Sequence, residues 1–428
     1  MERKNKLFEN IRKTSALRQA WYKIYENGQR SDSKETQRLI NEFKQAEEQN
    51  LRHLAQKLRK KNFDFGPVRG VAAKKKSGKA RPIVSASVEA RIVQRAILEE
   101  LSDRKPIKKY FHVPTSFGAI PKKGVPEAIN AAVAAIQKGA THYIKSDIAD
   151  FFTKIPRAQV VREICENWND VDFNLLLEKC TNLEIDNLAD LEKKHGTAFR
   201  DMFIFDQTGT PQGCCLSPLI GNILLHDFDL QMNSEDITCL RYLDDFILFG
   251  PSYAAVRKAY KKAQRLLGKH GLEAYDLETR KDKTGQGETN KPFEFLGVEF
   301  RDTLIRPSVA SKDRMITSIR EILGNVLNTG TPNHLSLVNA LYIIGNKIRG
   351  WGNQYKFCND NRFMGSIDAE ITQLLVPYFF KFTDVIKQFD QKQQRQLIGI
   401  WSLEDCKKEP IKFNAPKQES PPLTTIKH

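Results

Sequence analysis

The chain has 428 residues, of which 40% are hydrophobic and 28% charged, and its formal net charge is +16. That length and apolar content suffice for two or three packed subdomains, and the basic excess favours a polyanionic partner, because a cation that neutralises a phosphate releases a counterion; a solvated basic surface is the plain alternative. No apolar segment resembles a signal peptide core or a membrane span, and seven scattered cysteines without zinc-site spacing favour a cytoplasmic protein.

The first hundred residues are predicted to form helices before and after one β-hairpin. Residues 1–60 carry apolar side chains at helical spacing, and residues 88–101 repeat this pattern. Between them, residues 71–84 are basic and hairpin-like, with Ser77-Gly78 as the turn.

Three strands are predicted further along, at residues 142–148, 241–249 and 293–300, because apolar residues alternate or run around polar ones there. A helix is expected at residues 217–230, and two more after Pro307, at residues 310–327 and 336–355. Residues 414–428 contain three prolines and no apolar period, which is typical of a flexible tail.

Three aspartates lie at the end of, or inside, these apolar strands. Asp147 ends the first predicted strand, and Asp244 and Asp245 interrupt the second. A carboxylate there is costly unless it is paired or bound to a metal, although an Asp-Asp pair alone fits a solvated turn equally well. Nucleotide polymerisation uses two Mg²⁺ ions about 4 Å apart, which carboxylates hold together with substrate phosphates.

Four segments, in order, resemble the motifs of reverse transcriptases. Residues 147–152 (Asp-Ile-Ala-Asp-Phe-Phe) resemble the first catalytic motif and residues 210–219, which begin Thr-Pro-Gln-Gly, the second. Residues 242–245 (Tyr-Leu-Asp-Asp) resemble the third, and Phe295, Leu296 and Gly297 resemble the primer grip. The resemblance covers roughly residues 70–355.

The resemblance implies an RNA-directed DNA polymerase of the α+β class, shaped as a right hand with an antiparallel palm sheet. We expect a helical N-terminal extension at residues 1–66, fingers at 67–140, a palm at 141–306, a helical thumb and C-terminal region at 307–413, and a tail at 414–428.

The resemblance also implies a metal centre of two Mg²⁺ ions, for which Mn²⁺ can substitute. Asp147 and Asp244 would bridge the ions, Asp245 would support them, and the carbonyl of Ile148 would be a further ligand. Asp150 would either contact substrate or hold the start of its own helix.

Further roles follow from the same resemblance. The dNTP-binding residues would be Lys79, Arg81, Gln212 and Phe152, whose ring would exclude a 2′-hydroxyl; of Phe151 and Phe152, one is expected to be core. Lys283 would protonate the pyrophosphate, with Lys281 as a competitor. The nucleic-acid-binding residues would be Lys74, Lys75, Lys76, Arg349, Trp351 and Tyr355. The three lysines can equally be a solvated patch, and Trp351 and Tyr355 can equally be packing residues.

Departures from known branches favour one subgroup. Retron enzymes carry Asn-Ala-x-x-His before the first motif, where this chain has Ala134 in the histidine position. The retron Val-Thr-Gly thumb motif and a Cys/His endonuclease pattern are not seen. The chain then resembles compact defence-associated reverse transcriptases, which implies a structured non-coding RNA template, a cDNA product and dNTPs as partners, no membrane, and no protein partner that the sequence identifies.

Two other functions remain open. One is a retroelement or group II intron-derived polymerase involved in mobility. The other is an RNA-binding protein with an inactive polymerase core.

Overall fold

The structure is a computed structural model that describes residues 6–31, 33–74, 80–203, 207–327 and 335–399. It forms two compact units, divided between Leu296 and Gly297. Within the described ranges, no helix is both long and apolar enough to cross a membrane.

The first unit combines many helices with short antiparallel strands. Its helices are α1 (Leu7–Ile11), α2 (Thr14–Gln29), α3 (Lys34–Gln45), α4 (Glu47–Arg59), α5 (Val88–Ser102), α6 (Lys105–Phe111), α7 (Val125–Gln137), α8 (Phe151–Lys154), α9 (Arg157–Glu166), α10 (Val171–Thr181), α11 (Leu188–His195), α12 (Thr197–Asp201), α13 (Ser217–Leu224), α14 (His226–Met232) and α15 (Tyr253–Gly268). Its strands are β1 (Arg69–Lys74), β2 (Ala80–Ser85), β3 (His142–Asp147), β4 (Thr238–Tyr242), β5 (Asp245–Gly250), β6 (Thr284–Glu288) and β7 (Phe293–Phe295).

The N-terminal helices pack through the apolar faces that the sequence predicts. Trp21 on α2 is fully buried, and its ring centroid lies 4.4 Å from that of Phe43 on α3. Ser33 caps α3, because its hydroxyl accepts a hydrogen bond from the amide of Thr36. The predicted helical character of this region is confirmed.

The basic stretch after α4 is a hairpin. β1 and β2 pair antiparallel, from Arg69 opposite Ser85 to Lys74 opposite Ala80. The predicted turn pair Ser77-Gly78 lies outside the described residues.

The central sheet has the strand order β4-β5-β3-β6, and every neighbouring pair is antiparallel. Helix α15 covers one face: the Tyr260 hydroxyl bonds to Ser146 on β3 at 3.2 Å, and the Tyr260 ring stacks on Phe246 of β5. Successive side chains of a strand point to opposite faces. Asp147 and Asp245, each one residue from these contacts, therefore face away from α15.

Three predicted elements are each divided in two, which corrects the sequence-based boundaries. The strand predicted at residues 241–249 is the hairpin β4–β5. The strand predicted at residues 293–300 is broken where Leu296 and Gly297 have φ of +51° and +77°, values that no extended strand adopts. The helix predicted at residues 217–230 ends at Leu224, and α14 begins at His226.

The second unit is a hairpin with a helical bundle. It contains β8 (Val298–Arg301), β9 (Leu304–Pro307), α16 (Val309–Leu327), α17 (Leu337–Gln354), α18 (Asn361–Ile386) and α19 (Gln391–Ile398). The β8–β9 hairpin is tied to the chain before α18, because the Asn359 side chain bonds the carbonyl of Thr303 at 3.0 Å and the amide of Ile305 at 2.6 Å. The hairpin thus belongs with the helices, whereas the sequence placed the palm boundary after it, at residue 306.

Candidate active site

The Tyr242-Leu243-Asp244-Asp245 segment is a tight turn. Tyr242 on β4 pairs with Asp245 on β5, so Leu243 and Asp244 alone connect the strands. Leu243 has φ of +58°, a conformation that costs an L-residue about 1–2 kcal/mol. The turn therefore depends on support from its surroundings.

The buried Arg241 side chain supplies part of this support. Its guanidinium forms a two-pronged ion pair with Asp229 of α14, at 2.6 Å (Nε to Oδ1) and 2.5 Å (Nη2 to Oδ2). The two side chains are only 1% and 2% exposed. Arg241 also donates to the Leu243 carbonyl at 3.0 Å, to Asn222 Oδ1 at 3.1 Å and to Ser116 Oγ at 2.9 Å. One cation thereby fixes the strained residue to two helices and a loop.

The loop before α7 supports the turn from the other side. The amide of Phe117 donates to the Arg241 carbonyl, and the amide of Arg241 donates to the Thr115 carbonyl, both at 2.9 Å. A Cβ on Gly118 would lie 2.5 Å from the backbone nitrogen of Leu243. Only glycine allows this approach.

Asp147 meets the turn at the end of β3. It is the cross-strand partner of Asp245, and the amide of the next residue, Ile148, donates to the Asp244 carbonyl at 2.9 Å. Burial, followed by the hydrogen bond and charge of Asp147, raises the pKa of Asp245 well above its usual range. Burial also raises the pKa of Asp244, with the charge of Asp147 adding to the effect. The carboxylates are thus held where their ionised forms need a cation.

Two lysine side chains lie near these carboxylates. Lys283 Nζ lies 2.5 Å from Asp147 Oδ2; burial opposes its charge, but the hydrogen bond and charge of Asp147 outweigh burial and raise the pKa of Lys283. Lys145, two residues before Asp147, donates to the Glu294 carbonyl at 2.6 Å, and burial lowers its pKa. Both lysines and Leu296 line a cavity of about 200 Å³ that also exposes Asp147 and Asp245.

The donors fit a hard divalent cation. They are carboxylate oxygens, the hard ligands that such an ion prefers, and burial raises the pKa values of Asp244 and Asp245, which a bound cation would oppose. The described part of the chain contains no group of three or more His, Cys, Asp or Glu placed to hold a metal unaided.

The two adjacent phenylalanines have different environments. Phe151 is 2% exposed and packs so closely on α13 that a Cβ on Gly221 would lie 2.8 Å from its ring. Phe152 is half-buried beside it, with the ring centroids 5.2 Å apart. Phe151 is therefore the core ring. Asp150 is exposed, with φ of +48°, and its side chain makes no helix-capping bond, so the structure gives no support to the capping alternative.

The second motif contacts the β1–β2 hairpin. The Gln212 carbonyl accepts a hydrogen bond from the Val84 amide at 2.7 Å. A Cβ on Gly213 would lie 2.4 Å from the Val84 carbonyl oxygen, so Gly213 serves the approach of two chain segments. Arg81 on β2 is exposed, and its charge opposes the rise in the pKa of Asp244. The Lys74 side chain and residues Lys75, Lys76 and Lys79 lie outside the described residues.

The remaining predicted contacts divide into buried and exposed groups. Phe295 and Tyr355 are buried, at 4% and 3% exposure. The Tyr355 hydroxyl bonds to Ser311 Oγ at 2.7 Å, which the Trp351 indole also reaches at 3.2 Å. This burial favours the packing alternative for Tyr355, whereas Arg349 is exposed on α17. Lys281 is exposed, with no ion pair to Asp147.

The family assignment rests on residues 73–300, which match the family described as "Reverse transcriptase (RNA-dependent DNA polymerase)". This match covers more than half of the 428 residues. The chain belongs to the reverse transcriptase family. The predicted α+β right-hand polymerase fold and the RNA-directed DNA polymerase domain are confirmed, and reverse transcriptases in general use divalent metal ions. The roles given to individual residues stay predictions.

Two curated relatives resemble parts of this reverse transcriptase. The chain is 28% identical over 179 residues to the "Uncharacterized 91 kDa protein in cob intron" of Schizosaccharomyces pombe. The matched segment makes up 41% of this chain and 20% of that protein. The chain is 26% identical over 269 residues to "Protein YkfC" of Escherichia coli K12, which covers 54% and 66%. The matches thus span less than two thirds of either relative.

A solved structure of apo telomerase from Candida tropicalis, truncated from the C-terminal domain, is 14% identical with a TM-score of 0.36. It covers 57% of this chain and 55% of that chain. This likeness is too low to carry an argument.

Sequence reasoning missed the residues that position the site: Arg241, Asp229, Lys145 and Gly118. A signal did exist for Arg241, because an arginine inside the apolar strand Thr238–Tyr242 needs a buried partner. No comparable pattern singles out Asp229 among the acids of α14 or Gly118 among the glycines.

Gly118→Ala is expected to destabilise the protein by about 1–3 kcal/mol and to slow primer extension at least about tenfold, because its Cβ would displace the Leu243 backbone. Urea unfolding and single-turnover extension measure the two effects. Gly268→Ala is the matched control, since no heavy atom lies within 4 Å of its added Cβ. If both variants behave alike, the close approach at Gly118 does not position the turn.

Asp245→Asn is expected to stabilise the metal-free protein increasingly from about pH 5 to about pH 8. The folded state keeps a proton on Asp245 that the unfolded chain releases above its ordinary pKa, so stability falls as pH rises, and an amide removes this loss. Thermal unfolding across this range checks it. Asp282→Asn is the control without a pH trend: the hydrogen bond from Arg280 lowers the pKa of Asp282, so this carboxyl takes up no proton in either state from about pH 5 to about pH 8 and its replacement should shift stability by the same amount throughout. A melting difference for Asp245→Asn that does not change with pH would contradict the shift.

Proposed function

We propose that this reverse transcriptase copies an associated structured non-coding RNA into cDNA, through a metal centre at Asp147, Asp244 and Asp245, as part of bacterial antiviral defence. The single observation that carries the polymerase role is the pairing of Asp147 with Asp245 across β3 and β5, directly beside the strained Leu243-Asp244 turn. The carboxylates of two separate motifs meet there, in a cavity that is also lined by Lys145, Lys281 and Lys283.

The three aspartates and the Ile148 carbonyl would hold Mg²⁺. When bound, two such ions supply charge stabilisation for the attacking and leaving oxygens of nucleotidyl transfer. The chain itself positions the reactants. Arg81 would hold the incoming triphosphate with its planar guanidinium, and Gln212 would lie beside the new base pair.

Lys283 and Phe152 would act on opposite ends of the nucleotide. The Lys283 ammonium, 2.5 Å from Asp147, would donate a proton to the pyrophosphate leaving group. Phe152 is only half-buried and would lie under the sugar, where a 2′-hydroxyl would clash with its ring.

The defence role is the finer part of the proposal. It is supported by Ala134 in the position of the retron histidine and by the net charge of +16, which suits a tightly associated RNA. The mobility alternative is supported by the printed name of the Schizosaccharomyces pombe relative, which places that protein in an intron. The inactive-core alternative is opposed by the presence of all three aspartates.

Asp147→Asn is expected to lower primer extension on an annealed RNA template at least about a hundredfold with Mg²⁺ and dNTPs. Asp103→Asn is the matched control, because Asp103 is exposed directly after α5 and belongs to none of the predicted sites, and we expect it to stay within about twofold of wild type. Wild-type extension by Asp147→Asn would refute the catalytic assignment.

Phe152→Ala is expected to raise ribonucleotide incorporation relative to deoxynucleotides about tenfold or more, because the clash with the 2′-hydroxyl is removed. The ratio of kcat/KM for dCTP and CTP measures this, and Phe152→Tyr, which keeps the ring, should retain the wild-type ratio. An unchanged ratio in the alanine variant would assign Phe152 to packing alone.

The RNA partner is tested in cells. Sequencing nucleic acids that co-purify with wild type and with an Asp244→Ala, Asp245→Ala double variant, with and without phage infection, should give one defined RNA in both and its complementary DNA only in wild type. Intron RNA would favour mobility, and a random mixture of host RNAs would contradict the defence proposal.

A further inference from the structure

Most of the cations on the outer face of α15 form no ion pair with the described residues. The helix contains five Lys or Arg and no Asp or Glu. Arg257 lies 3.7 Å from Glu278, and Lys262 donates to the Gln231 carbonyl. The others, together with the residue after the helix end, are exposed and form no ion pair with any part of the chain that the structure describes; they are Lys258, Lys261, Arg265 and Lys269. These four residues are called the α15 stripe.

The spacing of the stripe makes it self-repulsive. Its members follow at steps of three, four and four residues, so that each lies one helical turn from the next. Helix α3 shows the opposite arrangement, because Arg38 pairs with both Glu35 and Glu42. Like charges at this spacing destabilise a helix unless an anion relieves them. The α15 stripe therefore suits a polyanion.

The stripe lies on the opposite side of the sheet from the catalytic carboxylates. The inner face of α15 is buried on β3 and β5 through Val256, Tyr260 and Ala263. Tyr260 bonds to Ser146, whereas Asp147, the next residue, points to the other face. Nucleic acid on the stripe would thus contact a different surface from a primer–template in the cavity at Asp147.

The shape and chemistry of the stripe fit an RNA backbone. Lys258, Lys261, Gln264 and Arg265 line one open depression, and the stripe extends about 16 Å along the helix. Lysine and arginine bind phosphates, and the Gln264 amide can both donate to and accept from a 2′-hydroxyl. We infer that the outer face of α15 is a second nucleic-acid surface, which binds the backbone of a duplex region of RNA.

The test compares two triple variants with equal loss of charge. One removes three of the four stripe cations (Lys258→Gln, Lys261→Gln, Arg265→Gln), and the other removes three dispersed exposed cations in or directly after three separate helices (Arg30→Gln, Lys138→Gln, Lys194→Gln). Fluorescence anisotropy with a blunt RNA duplex, and with a DNA duplex of the same sequence, gives the dissociation constant over a salt series. Primer extension on a short annealed primer–template is measured in parallel, and thermal unfolding confirms that both variants fold.

The stripe variant should bind duplex RNA about tenfold more weakly or worse, with a salt slope lower by about 3. Its extension of the short primer–template should stay within about twofold of wild type, and the dispersed variant should bind nearly as wild type. Equal losses in both variants would reduce the effect to net charge and overturn the inference. It would also fall if binding is unchanged, if short-template extension drops together with binding, or if phosphatidylserine vesicles bind the stripe and duplex RNA does not. Binding is measured without polymerisation, so the result stands apart from the proposed catalytic function.

Discussion

The buried ion pair between Arg241 and Asp229 is the interaction on which the candidate active site depends. A guanidinium at 1% exposure is tolerated only because Asp229 takes two of its hydrogen bonds and Asn222, Ser116 and the Leu243 carbonyl take the rest. These partners come from two helices, a loop and the turn itself. Because all of these groups bind one guanidinium, the buried charge fixes the position of the Leu243 carbonyl.

That position matters because the turn has little stability of its own. Leu243 adopts a left-handed conformation, and the next two residues are acids whose burial raises their pKa values. Strain and like charge both favour rearrangement, and Arg241, Gly118 and the Ile148 amide oppose it. The two faces of the central sheet differ accordingly. Asp147 and Asp245 lie on one face, while α15 covers the other and exposes its cations on its outer side.

The sequence predicted the fold class and the family, but not the boundaries of single elements or the residues that support the turn. Asp147, Asp244 and Asp245 were identifiable because acids in apolar strands need a cation, and the order of the motifs indicated the family. The divisions within the predicted elements were not identifiable, because Leu243 and Leu296 adopt a left-handed conformation although leucine is an ordinary strand residue. Asp229 was missed for a related reason: a carboxylate on a short helix resembles a surface residue until a partner distant in sequence packs over it.

The residues of the cavity also show how far the sequence alone could identify the site. Lys283 was singled out from a run of charged residues, and the structure places it on Asp147. Lys145 was not, because a lysine in a strand is ordinarily taken for an exposed residue. Tyr355 was assigned in part to nucleic acid from its place in a motif, yet its hydroxyl is bound to Ser311 inside the second unit.

The most direct measurement compares stability and turnover in Asp229→Asn and in the double variant Asp229→Leu, Arg241→Met. We expect Asp229→Asn to cost about 3–5 kcal/mol of unfolding free energy, because it leaves a buried cation unpaired, and the apolar double variant to recover most of this loss. We also expect kcat for primer extension to stay low in the double variant, since no side chain then holds the Leu243 carbonyl. A double variant with both wild-type stability and wild-type kcat would contradict the claim that Arg241 positions the catalytic turn.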